Sequence, residues 1–410
     1  MTEAAPVDTP IWSLPEVRRT PAPFRMFLKL AASNWAVGAF EIITPEGRKL
    51  VIRGRDQGPT GVLQVRDYRF VGRVMAAGDI GFAEGYMGGE WDTPDLSALL
   101  EVLSLNYDRL RRLVRGNPLV RLINNFNHFL RRNSRAGSRR NIHAHYDLGN
   151  QFYEKWLDGT MTYSSARHEH AGQELSAAQR NKYRTLAESI GLQRDQHVLE
   201  IGCGWGGFAE FAAREVGARV TGITISREQY DYARKRLFKE GLSDRTDIRL
   251  VDYRDVDGRF DRVASIEMFE AVGEEYWPAY FGKIHDVLEP GGRAGLQIIT
   301  IQDDHFETYR SRTDFIQKYI FPGGVLPSEA ALKPVVAQAG LEWGALARFG
   351  QAYADTLAEW GERFQAAWED IRLLGFDERF RKLWAFYLAY CEAGFRTGRT
   401  NVVQLELRRA

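Results

Sequence analysis

The feature that most constrains the fold of this chain is a glycine-rich turn between a strand-like and a helix-like segment. Residues 198–207 read VLEIGCGWGG, which places Gly202, Gly204 and Gly206 directly after an apolar run. Glycine adopts backbone conformations that other residues avoid, so three of them let the chain turn sharply and approach a ligand closely. The pattern predicts the first strand-to-helix turn of a ligand-binding sheet.

The segments after this turn alternate between strand-like and helix-like patterns. Strands are predicted at residues 197–201, 218–223, 247–251, 261–266 and 293–301, and helices at 208–215, 227–240 and 275–288. Alternation at these lengths is typical of an α/β fold with a parallel, doubly wound sheet. Closing strands are predicted at 341–349 and 402–407, with an aromatic-rich helical region at 357–396 between them.

The length of 410 residues favours two domains. Residues 1–25 contain five prolines and no apolar run, which indicates a flexible lead and not a signal peptide. Residues 26–125 predict a small α+β domain, with strands between 40 and 65 and a helix at 95–113. Residues 126–140 then form a basic linker, and residues 141–410 form the α/β domain.

Arginine is concentrated in residues 107–140, where ten arginines accompany a single acid, Asp108. Apolar residues recur between them at helical spacing, as in a helix that lies on an anionic membrane. A solvated linker after a core-packing helix has the same composition, and both interpretations stay open. No run reaches the roughly 20 apolar residues that span a bilayer, so we expect any membrane contact to be peripheral.

The overall charge and the cysteine content exclude several classes of protein. The net charge of +1 gives no reason to expect a nucleic-acid partner. Two cysteines, Cys203 and Cys391, are too few for a disulfide framework and favour a reducing compartment. The histidines show no zinc-site spacing, so no metal is expected.

Two features beside the glycine turn discriminate between ligands. Glu200 lies two residues before Gly202, where its carboxylate would repel a pyrophosphate but suit an amino group. No acid occurs in the turn at residues 224–226, where a dinucleotide fold usually holds a ribose. S-adenosylmethionine is therefore favoured over a dinucleotide, and a tight turn without any ligand is the less favoured alternative.

Ordered motifs from about residue 140 onward resemble the cyclopropane-fatty-acyl-phospholipid synthase family, which includes the mycolic acid cyclopropane synthases. The motifs are HYDLGNQFY at 145–153, MTYSS at 161–165, LEIGCGWGG at 199–207, GITIS at 222–226, DYRD at 252–255, MFE at 268–270 and KYIFP at 318–322. The N-terminal module also resembles the lipid-contacting domain of the members that act on phospholipids. The resemblance implies a class I, Rossmann-like methyltransferase fold that uses S-adenosyl-L-methionine.

The resemblance also implies which residues contact this cofactor. Glu200 is expected to face the amino group of the cofactor. Tyr163 and Ser164 match residues that contact the cofactor, and Gly202 and Gly204 match the glycines beneath its methionine end. Thr224 and Gln229 match the turn beside its ribose, and Asp252 and Tyr253 match the position beside its adenine. A core aromatic for Tyr163 and a loop cap for Asp252 are the alternatives. His143 and His145 are expected to hold the segment that covers the cofactor.

The implied reaction is methylation of a cis double bond in an unsaturated acyl chain of a membrane phospholipid. The alkene is a poor nucleophile, so the enzyme must align it and exclude water. Attack leaves a carbocation, which aromatic faces stabilise. Candidate aromatics, most of which we expect in packing, are Tyr319, Phe321, Tyr353, Trp360 and Phe364. Loss of a proton from the new methyl group closes a cyclopropane, whereas loss from a neighbouring carbon gives a methylene or methyl-branched product.

The identity of the base is expected to decide the product. In ring-forming relatives a Cys, a Glu, a His, an Ile backbone and a Tyr hold a bicarbonate base. The matching positions here are Ser165, Glu270, Gln297, Ile299 and Tyr353. Ser and Gln thus replace Cys and His, and Gln carries no proton that titrates near neutrality.

Glu267 stands where relatives tend to carry a small residue, and it adds a second carboxylate near Glu270. Two close carboxylates raise the pKa of one of them and could supply a protein base. We therefore expect a methylene or methyl-branched product. A bound bicarbonate, and a Glu267 that only forms a salt bridge, are the alternatives.

Four other functions are the alternatives. They are a true cyclopropane synthase with an altered bicarbonate site, a small-molecule methyltransferase, a nicotinamide oxidoreductase and a non-catalytic lipid carrier. A heteroatom nucleophile would not need Glu270 and Tyr353 at these positions, and a carrier would not bind S-adenosylmethionine. The expected location is the cytoplasm, peripheral on the inner face of the membrane, and a homodimer is one option for the assembly.

Overall fold

The structure, a computed structural model, describes residues 15–110 and 148–410. The described chain forms two compact units. The first contains the residues up to 110 together with 312–315 and 375–397, and the second contains 148–311, 316–374 and 398–410. Most of the arginine-rich segment, the predicted linker and both His143 and His145 lie outside the described residues.

The first unit contains a four-stranded sheet with the strand order β2-β1-β3-β4. The strands are β1 Val37–Ile43, β2 Lys49–Arg53, β3 Asp56–Val65 and β4 Trp91–Asp92. β1 pairs antiparallel with β2 and parallel with β3, and β4 pairs antiparallel with β3. The helices of this unit are Pro15–Arg18, Ala22–Asn34, Arg69–Ala77, Asp79–Met87, Leu96–Leu105 and Glu378–Arg396. An α+β arrangement is therefore present where the sequence predicts one.

The helix Glu378–Arg396 belongs to the first unit, whereas the sequence places it in the α/β domain of residues 141–410. Ser97 Oγ donates a hydrogen bond to Glu392 Oε2 at 2.6 Å, and the rings of Phe315 and Phe386 lie 4.8 Å apart. The predicted C-terminal domain is thus interrupted in the structure. An amphipathic pattern shows that a helix buries one face, but not which neighbour covers that face.

The second unit contains a seven-stranded sheet with the order β10-β11-β9-β8-β5-β6-β7. The strands are β5 His197–Ile201, β6 Arg219–Thr224, β7 Thr246–Leu250, β8 Phe260–Ile266, β9 Leu288–Ile301, β10 Leu341–Arg348 and β11 Thr400–Arg409. β5 to β9 are parallel, as predicted. β11 runs antiparallel to both β9 and β10, so the sheet is mixed at this edge and not parallel throughout.

Helices pack on both faces of this sheet. Val198 and Leu199 join different apolar clusters because successive strand residues point to opposite faces. The remaining α-helices of the described chain are Asn150–Glu154, Leu175–Ser189, Gly207–Phe211, Arg227–Lys239, Trp277–Val287, Asp303–Arg310, Phe315–Tyr319, Glu329–Gln338, Gly350–Ala366 and Trp368–Leu373. Within residues 15–110 and 148–410, none of the helices combines the length and the apolar character needed to cross a bilayer.

In the first unit, Asn106 joins β1 to the helix Leu96–Leu105, which ends just before Asn106. Its side chain is fully buried, and its oxygen accepts hydrogen bonds from the backbone N–H groups of Ala36 and Val37 at 2.8 and 3.1 Å. Its amide donates to the carbonyl oxygens of Val37 and Val102 at 2.9 and 2.8 Å. All four hydrogen-bonding positions of the amide are therefore used.

We predict that Asn106→Ala lowers the free energy of unfolding by about 3 kcal/mol, because buried backbone groups lose their partners. Urea unfolding of the whole chain measures the change. Asn34→Ala is the control, since that amide donates only to Leu30 O on its own helix, and a change below about 1 kcal/mol is expected there. Equal effects of the two substitutions would contradict the structural role of Asn106.

Candidate functional site

Three of the predicted cofactor residues and the catalytic candidate Glu267 lie at or just after the carboxyl ends of neighbouring parallel strands. Gly202 follows β5, Thr224 ends β6, Asp252 follows β7 and Glu267 follows β8. In open α/β sheets ligands bind at this edge, because the chain ends of parallel strands meet there. The sheet therefore gathers these residues along one edge although they are far apart in sequence.

The glycine turn leaves space on one side and none on the other. Gly202, Gly204 and Gly206 have positive φ angles of 82°, 50° and 86°. A Cβ atom on Gly202 would lie 2.7 Å from Met268 Cγ, so only glycine fits. A Cβ atom on Gly204 would meet nothing within 4 Å, so the turn is open there. The open side is suited to a ligand that approaches the backbone.

Glu200 presents a buried carboxylate beside this turn. One oxygen accepts a hydrogen bond from the backbone N–H of Ala209, and Oε2 has no partner among the described residues. Burial raises the pKa of Glu200 well above its ordinary value, and the attraction of Lys182 opposes that rise. A buried oxygen without a donor fits the predicted contact with the amino group of a methionine moiety.

The ribose-side turn is built from neutral groups. Thr224 Oγ1 donates to Gln229 Oε1 at 2.9 Å and accepts from the backbone N–H of Ser226 at 3.1 Å. Ser226 Oγ in turn caps the next helix by accepting from Gln229 N at 3.3 Å. Thr224 and Gln229 are therefore held together, as predicted, with no acid between them.

Asp252 is engaged by its own loop. Its carboxylate accepts from the backbone N–H of Arg254 at 3.0 Å and from the guanidinium of Arg254 at 2.8 and 2.7 Å. This is the loop-cap geometry given above as the alternative, and a contact with adenine stays a prediction. Tyr253 packs edge-on against Tyr280 at 5.3 Å, and burial raises its pKa to about 12.

Tyr163 lies in a cluster of aromatic rings. Its ring centroid is 5.4 Å from that of Tyr153, 5.7 Å from that of Trp156 and 5.4 Å from that of Trp360. The sequence did not single out Tyr153 or Trp156. We call the four residues the aromatic cluster. Of the other aromatic candidates, Tyr353 and Trp360 lie 6.3 Å apart, whereas the ring of Phe364 lies 5.9 Å from that of Trp368.

Lys182 is a functional candidate that sequence analysis missed. Its ammonium is buried and donates to Ser164 Oγ and to Gln179 Oε1, both at 2.6 Å. Burial lowers its pKa to about 7 against the attraction of Glu267, Asp158 and Glu200. The only sequence signal is its position three residues after Gln179, on the face of the helix Leu175–Ser189 that also carries buried Ala178 and Leu186.

Glu267 draws together the residues predicted to surround the base. Oε1 accepts from the backbone N–H of Ser165 and from Gln297 Nε2, both at 2.8 Å, and Oε2 accepts from Tyr353 OH at 2.6 Å. Glu267 also has a φ angle of +49°, which a residue with a side chain rarely adopts. Its three donors are uncharged, so this geometry differs from the simple salt bridge considered above.

Glu270 has a different environment. Oε1 accepts from the backbone N–H of Ile299 at 2.5 Å, while Oε2 is buried without a hydrogen-bond partner among the described residues. Burial and the neighbouring Glu267 raise the pKa of Glu270 to about 8. Hydrogen bonds to a carboxylate stabilise its charged form, and Glu267 has three whereas Glu270 has one. Burial raises the pKa of Glu267 as well, but its three hydrogen bonds and the attraction of Lys182 oppose that rise, so a single proton shared by the pair is favoured on Glu270.

We predict that Glu270→Gln stabilises the fold increasingly as the pH rises. Its folded pKa of about 8 exceeds the model-compound value of 4.5, so the folded chain retains a proton that the unfolded chain has lost between these values. Wild-type stability is therefore lost as the pH rises through this range, and Gln, which keeps the neutral shape, removes that loss. The difference in melting temperature between variant and wild type should grow from about pH 5 to about pH 8.

The control for this titration is Glu289→Gln at an exposed position. Its difference in melting temperature from wild type should stay flat over the same pH range. A flat difference for Glu270→Gln as well would contradict a raised pKa at that residue.

Comparison with known proteins establishes the family, the fold and the cofactor. The sequence profile described as mycolic acid cyclopropane synthetase matches residues 133–405, more than half of the chain. A tuberculostearic acid methyltransferase of Mycobacterium tuberculosis is 43% identical over 347 residues, which cover 82% of this chain and 80% of the relative. A cyclopropane-fatty-acyl-phospholipid synthase of Escherichia coli is 34% identical over 380 residues, covering 88% of this chain and 90% of the relative.

A crystal structure of a mycolic acid cyclopropane synthase complexed with SAH and CTAB is similar with a TM-score of 0.62 and 29% identity. The alignment covers 66% of this chain and 98% of that chain. The similarity confirms the class I methyltransferase fold and S-adenosylmethionine as the cofactor. The chain belongs to the cyclopropane synthase family of S-adenosylmethionine-dependent methyltransferases that act on lipids.

Proposed function

We propose that the chain methylates a cis double bond in an unsaturated acyl chain of a membrane phospholipid and releases a methylene or methyl-branched chain. The observation that carries the proposal is the environment of Glu267. A carboxylate of the protein accepts hydrogen bonds from Ser165, Gln297 and Tyr353, the positions that correspond to bicarbonate ligands in ring-forming relatives. The base is therefore built into the chain.

The first step needs a site that tolerates positive charge. The π electrons of the alkene form a bond to the methyl carbon, the carbon–sulfur bond breaks with its electrons left on sulfur, and the second alkene carbon becomes cationic. The faces of Tyr163 and Trp360 in the aromatic cluster stabilise positive charge without forming a bond to it. Exclusion of water by these rings prevents hydration of the intermediate.

The second step removes a proton. A hydride first migrates from the methyl-bearing carbon to the cationic carbon, which leaves the positive charge on the methyl-bearing carbon. A proton then passes from the new methyl group to a carboxylate oxygen of Glu267. Because of the hydride migration, the electrons of that C–H bond form the double bond of a methylene group on the chain and not the ring that closes without it. Loss of a proton from a neighbouring chain carbon instead leaves a methyl-branched alkene. In both cases Glu267 is the acceptor, and protonated Glu270 adds no second negative charge.

Two observations support a phospholipid as the substrate. The relative from Escherichia coli carries fatty-acyl-phospholipid in its name and aligns over 90% of its length, including the region of the first unit. The first unit also exposes Met26, next to Arg25 in the sequence, and Met75, two residues after the exposed Arg73, which suits contact with an anionic lipid surface. We propose that residues 26–125 make this contact peripherally, on the inner face of the membrane.

The direct test incubates the purified chain with S-adenosylmethionine and a phospholipid that carries cis-monounsaturated chains. The released fatty acids should gain one CH2 unit by mass spectrometry. Ozonolysis should cleave a methylene product to a ketone, whereas a cyclopropane resists it. No gain with the unsaturated lipid would overturn the proposal, and a resistant product would indicate a ring-forming enzyme. A fully saturated phospholipid is the substrate control.

We expect Glu267→Gln to lower the rate of product formation by at least about a hundredfold, since general bases contribute roughly this factor. Affinity for S-adenosylmethionine, measured by calorimetry, should change little, because Glu267 contacts Ser165 and not the glycine turn. Glu289→Gln is the matched control at an exposed site. Undiminished turnover of Glu267→Gln would remove Glu267 from the mechanism.

We further predict that the triple substitution Ser165→Cys, Glu267→Gly and Gln297→His moves the product toward a cyclopropane when bicarbonate is supplied. Cys and His are the residues that ring-forming relatives use, and glycine adopts the φ of +49° without strain. Product analysis by ozonolysis measures the shift. The same product mixture with and without bicarbonate would show that these positions do not decide the product.

A further inference from the structure

Two glutamines face each other on the paired strands β9 and β11. Gln404 on β11 lies directly opposite Gln297 on β9 in the antiparallel register. Both side chains are buried, with exposed fractions of 4% and 1%. Gln404 Nε2 donates to Gln297 Oε1 at 3.2 Å and to the carbonyl oxygen of Lys182 at 3.0 Å. The amide of Gln404 thus connects the strand pair to the helix Leu175–Ser189.

The orientation of both amides follows from the donors around them. Arg167 Nη1 and Thr185 Oγ1 donate to Gln404 Oε1 at 3.1 and 3.0 Å. Arginine has no acceptor atom, so the oxygen of Gln404 must face Arg167 and its nitrogen must face Gln297. The oxygen of Gln297 therefore faces Gln404, and its nitrogen faces Glu267 Oε1 at 2.8 Å.

We propose that Gln404 is a positioning residue, which holds the amide of Gln297 in the orientation that donates to Glu267 and thereby keeps Glu267 in its charged, proton-accepting form. The proposal rests on the function proposed above, because it concerns the same base. Gln404 touches neither the carboxylate nor the glycine turn in the contacts seen here. It acts through Gln297, and Arg167 fixes it in turn.

The charged and titratable groups that face Glu267 come from several elements. Lys182 attracts it from the helix Leu175–Ser189, Glu270 repels it from the segment after β8, and Tyr353 donates to it from the helix Gly350–Ala366. Burial raises the pKa of Glu267, and the hydrogen bond from Gln297 is among the contacts that lower it. Loss of that bond leaves the other groups in place and must therefore raise the pKa of Glu267 further.

The substitution Gln404→Glu is expected to reverse the orientation of the Gln297 amide. A carboxylate at this position stays paired with Arg167 but offers Gln297 only acceptor oxygens. The carboxylate competes for Gln297 Nε2, which donates to Glu267 Oε1 at 2.8 Å and to the carbonyl oxygen of Ser165 at 3.3 Å. When Nε2 turns toward position 404, Oε1 faces Glu267, and the two acceptors repel each other. Gln404→Met removes all hydrogen bonding at the position, while Glu267 and Ser165 still favour the present orientation of Gln297, so a smaller effect of the same sign is expected.

The first experiment measures the protonation state of Glu267 in the absence of catalysis. Infrared difference spectra of the full chain are recorded as a function of pH, and the protonated carboxyl band of Glu267 is identified by its absence in Glu267→Gln. In Gln404→Glu this band should persist to higher pH than in wild type. A titration identical to wild type in both Gln404→Glu and Gln404→Met would overturn the proposal, whatever lipid the enzyme uses.

The second experiment measures kcat/KM for phospholipid methylation against pH. Glu267 accepts a proton only when it is ionised. A raised pKa of Glu267 therefore shifts the acidic side of the pH–rate profile to higher pH. Gln404→Glu should lose about tenfold in kcat/KM at pH 6 and recover most of it at pH 9. A purely structural role would lower the rate equally at all pH values, and that result would also overturn the proposal.

Two controls accompany these measurements. Gln338→Glu adds the same charge at an exposed position, and its pH profile should match that of wild type. Calorimetry should show an affinity for S-adenosylmethionine within about twofold of wild type in all Gln404 variants, because the glycine turn is untouched. If wild type methylates no phospholipid while the infrared titration shifts as expected, the proposed substrate fails and the role of Gln404 stands.

Discussion

The burial of the Glu267 carboxylate is the interaction on which the rest of the site depends. A charge removed from water costs several kcal/mol unless donors replace its hydration. Three donors do so here, and they come from the segment before the helix Leu175–Ser189, from β9 and from the helix Gly350–Ala366. One side chain thus requires three separate parts of the second unit to meet at the end of β8.

The site combines an environment that favours positive charge with one that favours negative charge. In the proposed reaction, the open glycine turn and the aromatic cluster on one side stabilise positive charge, first on sulfur and then on the lipid. On the other side, Glu267 takes up the proton that ends the proposed reaction, and Glu270, whose pKa is raised to about 8, adds no second negative charge. The parallel sheet makes this possible, because it brings the ends of β5 to β8 to one edge and leaves the order of the residues along that edge fixed.

Much of this arrangement could be predicted from sequence, and the remainder could not for physical reasons. Periodicity located the strands and the glycine turn, since both depend on local chain geometry. The motif order brought Ser165, Glu267, Gln297 and Tyr353 into one pocket, where the structure joins them by hydrogen bonds. Local patterns carry no information on which distant partner a side chain meets. Gln404 was therefore missed, as were Lys182, the antiparallel β11 and the pairing of Asp252 with Arg254.

The path of the chain through the two units has a consequence for assembly during synthesis. The chain leaves the second unit after residue 374, contributes the helix Glu378–Arg396 to the first unit, and returns with β11. β11 lies between β9 and β10, so the sheet has a gap until residues 400–409 have left the ribosome. Neither unit is one continuous stretch of sequence. A chimaera with a relative that is joined at a single point between the units would therefore split both units. In the proposed mechanism, Glu267 therefore gains the support of Gln404 only when β11, which is synthesised after β5 to β10, fills that gap.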